Sequence, residues 1–213
     1  MRSLCFILMF SPFFGSTACK KHNNSPATSS ETDVPGPAIQ LNSFPLKPGN
    51  MWVYDSGDTI RVVADTVING VAATKLTKNN AHYSLAVYCT NLPDGLHMLA
   101  ANSSNAFETL TVPVLDDPAP LVVPDPSVQF TKLPVSLDGS WEAHIPNMKY
   151  STRQWVKYVT VTTPAGTFNC VKMSAGYFDE YYSDKGIIKR VDHPECFAAP
   201  CPDMITKLVY VNF

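Results

Sequence analysis

The chain has 213 residues, a length typical of one ordinary domain or two small ones. Apolar residues make up 45% of it, which is enough for a packed core and excludes a disordered chain. Charged residues make up only 16% and the formal net charge is −2, so the chain lacks the basic field that broad nucleic-acid binding requires.

The first 18 residues have the pattern of a secretory signal peptide. Arg2 supplies a positive charge, residues 4–14 are almost entirely apolar, and small residues occupy positions 15–18. The apolar run is shorter than the roughly 20 residues that cross a bilayer, so the pattern indicates export and not a transmembrane helix.

Cys19 directly follows these small residues, and Lys20 and Lys21 come next. This arrangement resembles the lipobox and the Cys-Lys-Lys start of Bacteroidota-type bacterial lipoproteins, although Ser16 stands where the lipobox usually has leucine. The resemblance implies that the Cys19 thiol carries a lipid such as palmitate, which holds the protein to the membrane. We expect it in the cell envelope, outside the cytoplasm and anchored in the outer membrane, with the leaflet left open. The alternative is an ordinary signal peptide that is cut elsewhere.

Residues 19–38 are predicted to be the lipidated cysteine and a flexible tether. Ser, Thr, Asn and Pro dominate this stretch, and without apolar periodicity it cannot bury enough surface to offset its ordering entropy. A coil of this length would reach roughly 25 Å. Residues 39–213 show no internal repeat and suit a single domain.

Four cysteines remain in the mature chain after Cys5 and Cys19, and an oxidising compartment permits disulfides between them. Cys196 and Cys201 enclose four residues of a proline-rich loop, and we predict a disulfide there. Cys89 lies on the apolar phase of a predicted strand, which favours a buried free thiol, whereas a bridge to Cys170 would require adjacent strands. His193 beside Cys196 and Cys201 could be a metal site, but no fourth ligand is nearby and the spacing is not that of structural zinc. We therefore predict no metal.

The domain pattern is a series of short strands joined by turns. Asn69-Gly70 and Pro164-Ala165-Gly166 separate β-branched runs, which predicts two hairpin tips. With a two-residue loop at the first tip, Val67 would face Ala72 and Val63 would face Leu76. Because no long segment keeps a 3.6-residue period, we predict one all-β antiparallel domain, either a half-barrel, a barrel or a sandwich.

Alternation along residues 82–89 assigns Tyr83, Leu85, Val87 and Cys89 to a core face. Elsewhere in the chain, the same patterning predicts burial of large apolar side chains in other strands. The predicted buried set is Trp52, Leu85, Val87, Phe168 and Val209.

Three stretches carry a second resemblance: residues 44–54 (FPLKPGNMWVY), 163–170 (TPAGTFNC) and 181–189 (YYSDKGIIK). They resemble the opening, a hairpin and a strand pair of uncharacterised bacterial lipoproteins with a domain of unknown function. In the last stretch Ile187 replaces a glycine of that pattern. The resemblance implies an all-β domain and brings no catalytic residue.

Sequence motifs for a catalytic nucleophile, a metalloprotease or a phosphate loop are absent. His82, His97 and His144 lie among polar residues of separate segments, and we expect each at the surface. A Ser-His-Asp cluster assembled across distance is a less favoured alternative. Asp179, Glu180 and Asp184 form the densest acidic group; adjacent strand residues point to opposite faces, so we expect a solvated turn and not a carboxylate pair.

Four aromatic side chains surround this turn. They could line a ligand-binding face, although cross-strand packing is the favoured interpretation. The four residues are Tyr177, Phe178, Tyr181 and Tyr182.

These features favour a lipid-anchored binding or interaction module for an apolar or glycan ligand, without a cofactor and as a monomer. The alternatives are an envelope hydrolase whose site the sequence does not reveal, and a structural envelope protein. A concave apolar groove would favour the binding module, and convergent titratable groups would favour the hydrolase.

Overall fold

The computed structural model describes residues 33–103, 121–146, 151–194 and 201–213, which all fall within one compact unit spanning 31–213. These residues form strands, turns and irregular segments only, so the all-β prediction is confirmed. The described part of the chain contains no helix that could cross a membrane.

The described residues form thirteen strands. Their bounds are β1 Val34–Pro35, β2 Met51–Tyr54, β3 Thr59–Ile68, β4 Val71–Asn79, β5 Ser84–Leu92, β6 Gly95–Ala101, β7 Val128–Lys132, β8 Ser140–Ala143, β9 Ser151–Thr163, β10 Gly166–Ser174, β11 Phe178–Ser183, β12 Gly186–Asp192 and β13 Met204–Asn212.

The strands form one antiparallel sheet that is not closed into a barrel. Their order is β1-β9-β10-β11-β12-β13-β2-β3-β4-β5-β6-β7, and β8 pairs with β9 off this path. The sheet has two halves, one made of β1 and β8–β12 and the other of β2–β7. Strand β13 joins them, because residues up to Lys207 pair with β12 and residues from Leu208 onward pair with β2. The two sheet ends approach each other through β9, where Arg153 Nη1 donates to the Phe130 carbonyl of β7 at 2.7 Å.

The core lies between the two halves of the sheet. Trp52, Leu85 and Val87 are buried as predicted, and Phe168 is half-buried against the core. The prediction for Val209 is wrong, because this side chain is 38% exposed. A bulge between Leu208 and Tyr210 changes the phase of β13, so that Leu208 takes the buried position.

The first predicted hairpin tip is confirmed. Asn69 and Gly70 both have positive φ, at 49° and 81°, as a type I′ turn requires. Val67 pairs with Ala72, but Leu76 pairs with Val62 and not with Val63, because a bulge interrupts β3 at Val63. The second tip is confirmed as well, since β9 ends at Thr163 and β10 begins at Gly166.

The start of the fold lies earlier than the composition indicates. Val34 and Pro35 form β1 and pair with Val159 and Thr160 of β9. Asp33 is held at the same edge, since its carboxylate lies 2.9 Å from the Lys157 ammonium and accepts a hydrogen bond from Tyr181. The boundaries further upstream stay predictions.

Candidate functional site

Residues 37–43, which we name the strap, cross from one half of the sheet to the other. At one end the Gly36 N–H donates to the Tyr158 carbonyl of β9 at 3.2 Å. At the other end the backbone of Phe44 exchanges two hydrogen bonds of 2.9 Å with the Asn91 amide of β5. Leu41 inserts from the strap into the core and is 6% exposed. Anchored ends and one buried side chain therefore hold the strap across the sheet.

The sequence explains why the strap leaves the sheet after β1. Proline at positions 35 and 37 lacks the N–H that a further ladder bond to β9 would need. Gly36 lies so close to β9 that a Cβ atom on it would approach the Val159 carbonyl carbon to 2.4 Å. Glycine therefore permits the last contact with β9, and the prolines then end the strand.

Two cavities flank the strap and share its residues Ile39, Gln40 and Leu41. The first has a volume of about 490 Å³ and is lined by Ala38, Ile39, Gln40, Leu41, Asn42, Pro134, Val135 and Tyr158. The second has a volume of about 270 Å³ and is lined by Ile39, Gln40, Leu41, Thr167, Phe168, Asn169, Asp184 and Lys185. The first cavity lies within the size range of small-molecule sites.

The cavity linings mix aromatic rings with neutral polar groups. Tyr158 faces the first cavity and Phe168 the second, together with the amides of Gln40, Asn42 and Asn169. The charged groups of the second cavity pair with each other, since Lys185 Nζ lies 3.3 Å from Asp184 Oδ2. The arrangement can therefore hold a neutral ligand that offers both an apolar face and hydroxyl groups.

The four aromatic residues predicted for a ligand face lie away from both cavities. Phe178, Tyr181 and Tyr182 are buried, and Tyr177 is 39% exposed. The Arg190 guanidinium stacks on the Phe178 ring at 3.8 Å, while the Tyr181 and Tyr182 hydroxyls donate to carboxylates. A ligand-binding role for the four aromatic residues stays a prediction.

The acidic group around β11 is not the predicted solvated turn. Glu180 is fully buried and Asp179 is 7% exposed, whereas Asp184 is exposed. The two neighbours do point to opposite faces, because Glu180 contacts Arg190 and Tyr182 while Asp179 contacts Lys172 and His193. Both faces of β11 are covered by other parts of the sheet, so each carboxylate is buried with its own cation.

Each half of the sheet holds a buried ion pair. Glu180 Oε1 lies 3.1 Å from Arg190 Nη1, and Asp58 Oδ2 lies 3.6 Å from Lys78 Nζ. Burial lowers the pKa of Lys78 to about 8, against the opposing effect of Asp58. Burial, reinforced by Glu180, keeps the pKa of Tyr54 well above its usual range. The charged groups are partners of one another and the Tyr54 hydroxyl donates to the Ile187 carbonyl, so we assign all of them a structural role.

A second polar network lies on the opposite face of β11, around Asp179. His193 Nε2 is 3.0 Å from Asp179 Oδ2, and its Nδ1 is 3.0 Å from Asp203 Oδ1. Lys172 Nζ bridges Asp179 at 2.6 Å and Asp33 at 3.6 Å. Because carboxylates occupy both ring nitrogens of His193, this residue clamps the chain together and has no nitrogen left to serve as a base.

This clamp predicts a pH-dependent stability. Burial opposes the charged form, but the hydrogen bonds to Asp203 and Asp179 raise the pKa of His193 above its ordinary 6.5. The stabilisation is therefore complete below the unfolded-state pKa and is lost as the pH rises through the folded-state pKa. We expect His193→Gln to lower the unfolding temperature more at about pH 5.5 than at about pH 9. Melting curves of both proteins, with exposed His82→Gln as control, test this; a pH-independent difference would contradict it.

His82, His97 and His144 differ in solvent exposure. His82 and His144 are exposed, as expected, and His144 lies 4.0 Å from Glu142. His97 is only 8% exposed, so the surface prediction is wrong for this residue. It lies on β6, whose two faces are both covered.

Cys89 and Cys170 are free and buried. Burial raises the pKa of each thiol to about 12, so both behave as small apolar side chains. The bridge between them is excluded, because Cys89 lies on β5 and Cys170 on β10, in opposite halves of the sheet. The Cys196–Cys201 disulfide stays a prediction, because Cys196 lies outside the described residues.

Within the described residues, no group of three or more His, Cys, Asp and Glu side chains is arranged to hold a metal ion. The alternative metal site at His193, Cys196 and Cys201 includes Cys196, which lies outside the described ranges.

Comparisons with known proteins give a distant structural likeness. The sequence matches no family profile and no curated protein. A provisionally assigned lipoprotein from Parabacteroides distasonis is 17% identical, with a TM-score of 0.40 over 83% of this chain and 100% of that one. A provisionally assigned exported protein with a YmcC-like fold from Bacteroides fragilis is 13% identical, with a TM-score of 0.42 over 80% of this chain and 99% of that one. At these TM-scores the likeness assigns this chain neither a fold family nor a function.

Proposed function

We propose that the protein is a lipid-anchored binding module of the cell envelope whose ligand is a glycan held beside the strap. The observation that carries the proposal is the pair of cavities that share Ile39, Gln40 and Leu41. Anchoring through Cys19 and an extracytoplasmic location rest on the signal pattern of the sequence.

The cavity linings favour a glycan over an acyl chain. The apolar face of a sugar ring packs on aromatic side chains such as Tyr158 and Phe168, while sugar hydroxyls bond to amides such as Gln40 and Asn169. An acyl chain would cover these amides without bonding to them, which costs free energy for each group left unsatisfied. Since the cavities meet at the strap, one oligosaccharide can contact both.

Calorimetric titration of the purified protein with chito-, malto- and cello-oligosaccharides tests the ligand class. We expect a longer oligosaccharide to bind more tightly than the monosaccharide, and both Tyr158→Ala and Phe168→Ala to weaken binding by about tenfold. Tyr210→Ala is the matched control, because this ring is 50% exposed and lines neither cavity. Binding of palmitate with no response to any oligosaccharide would contradict the glycan assignment.

Replacing Cys19 with serine is expected to move the protein from the membrane fraction to the soluble fraction, because the thiol that carries the lipid is lost. Cell fractionation and the mass of the mature protein measure the outcome. Ser16→Leu, which restores the usual lipobox residue, is the control and should stay with the membrane. A Cys19→Ser protein that still sediments with membranes and keeps the same added mass would rule out lipidation at this position.

A further inference from the structure

Asp94, His97 and Ser127 form a hydrogen-bonded row that the proposed binding function does not use. His97 Nδ1 lies 2.9 Å from the Ser127 hydroxyl, and His97 Nε2 lies 3.1 Å from Asp94 Oδ1. These residues come from two segments that are 30 positions apart in the chain. Hydroxyl, imidazole and carboxylate in this order are the parts of an activated serine nucleophile.

The strands fix the three side chains. Asp94 belongs to the turn between β5 and β6, His97 lies on β6, and Ser127 directly precedes β7. The two strands pair antiparallel, with Met98 opposite Val128. Gln129 Nε2 donates to the Asp94 carbonyl oxygen at 2.8 Å and holds the turn in place.

An ionised Asp94 favours the His97 tautomer in which Nδ1 is the base. Asp94 can only accept when ionised, so Nε2 carries the proton and donates it to the carboxylate. The lone pair of Nδ1 is then directed at the Ser127 O–H and can accept its proton. His193 differs in this respect, because carboxylates occupy both of its nitrogens.

The solvent exposure of the three side chains is compatible with a reaction on a substrate from solution. The His97 side chain is 10% exposed and therefore shielded from water, while Ser127 is partly exposed and the Asp94 side chain is 60% exposed. The segment that lines part of the first cavity is also hydrogen-bonded to the turn that carries Asp94. The Leu133 N–H donates to the Asp94 carbonyl at 2.9 Å, and the next two residues, Pro134 and Val135, line that cavity.

We propose that Ser127 and His97 are catalytic residues of an ester-cleaving centre, with Asp94 as the positioning residue, and that its substrates are short O-acyl esters on a glycan. The assignment of a glycan as the acyl carrier rests on the proposed function; ester cleavage by Ser127 does not. The open surface around Asp94 favours a small acyl group carried by a larger molecule.

The reaction balances with water as the co-substrate. Ser127 Oγ attacks the ester carbonyl carbon while its proton moves to His97 Nδ1. The carbon–oxygen bond to the alcohol breaks, the alcohol leaves with that proton, and the acyl group stays on Ser127. Water, deprotonated by His97, then attacks the acyl-serine; the carboxylic acid departs and Ser127 recovers its proton.

The purified protein is tested with p-nitrophenyl acetate, p-nitrophenyl palmitate and a biotin-linked fluorophosphonate. We expect hydrolysis of the acetate but not of the palmitate, and one fluorophosphonate adduct, mapped to Ser127 by peptide mass spectrometry. Ser127→Ala should abolish both signals, and His97→Gln should lower the hydrolysis rate by about 10²–10⁴-fold. Ser136→Ala, at an exposed serine after β7, is the matched control and should keep full activity.

Asp94→Asn separates a chemical role from a structural one, because its side chain is largely exposed. We expect this variant to keep the unfolding temperature of the parent while its hydrolysis rate falls at least tenfold. The proposal is overturned if the parent protein hydrolyses p-nitrophenyl acetate no faster than Ser127→Ala, or if the adduct forms on another serine. Oligosaccharide titration of the same samples shows separately whether the binding function holds.

Discussion

Replacing Glu180 with leucine is expected to destabilise the protein by about 3–5 kcal/mol. The carboxylate is fully buried, and its Oε1 pairs with the buried Arg190 guanidinium at 3.1 Å. Its other oxygen accepts the hydrogen bond of the Tyr182 hydroxyl. Leucine would leave Asp192 as the remaining carboxylate partner of Arg190, and the Tyr182 hydroxyl would lose its acceptor.

Urea unfolding measures this loss, and two variants identify its cause. Removing both charges, in Glu180→Leu combined with Arg190→Met, should recover most of the stability, because the uncompensated charge is then gone. Asp184→Leu removes a carboxylate that is 72% exposed and should change stability by less than about 0.5 kcal/mol. A single Glu180→Leu variant as stable as the parent would show that the pair is solvated and not buried.

Trp52→Ala is expected to cost about 3–5 kcal/mol as well, because it leaves a large cavity in a packed core. The side chain is 1% exposed and packs against the rings of Phe44 and Phe213, at 5.8 and 5.7 Å. Its indole N–H also donates to the Lys185 carbonyl oxygen. Trp52→Phe keeps the ring contacts and loses this hydrogen bond, so a smaller loss is expected.

The same substitution should affect the ligand cavities. Phe44 anchors one end of the strap, and Lys185 lines the second cavity, so Trp52 supports both. Trp141→Ala is the matched control, because it empties a comparable volume beside Trp155 and Trp141 lines neither cavity. Under conditions where both variants are folded, Trp52→Ala should weaken oligosaccharide binding and Trp141→Ala should not. Equal binding by both would show that the strap does not depend on Trp52.

Local chemistry was enough to predict the turns and much of the strand pattern. Asn69 and Gly70 tolerate the positive φ of a two-residue hairpin loop whatever surrounds them. Period-2 alternation placed Leu85 and Val87 on a core face, and both are buried. The absence of a helical period likewise predicted the all-β fold, because each of these signals lies within a few neighbouring residues.

The tertiary structure decided the register between neighbouring strands and which faces of each strand are covered. Bulges at Val63 and beside Leu208 shift the phase of β3 and β13, and nothing in the local pattern marks them. Alternation correctly separated Asp179 from Glu180, but their burial depends on the elements that cover both faces of β11. A residue's face follows from its own strand, whereas its solvent exposure follows from the rest of the sheet.

The tertiary structure also decided which residues form the candidate sites. Gln40, Tyr158 and Phe168 come together only because the strap crosses between the two halves of the sheet. Asp94 and His97 are close in sequence, but Ser127 reaches them through the pairing of β6 with β7. The sequence by itself determined the all-β class and the two hairpin tips, because backbone preferences are local. The tertiary structure alone decided which side chains meet, because those contacts join residues that lie far apart in the chain.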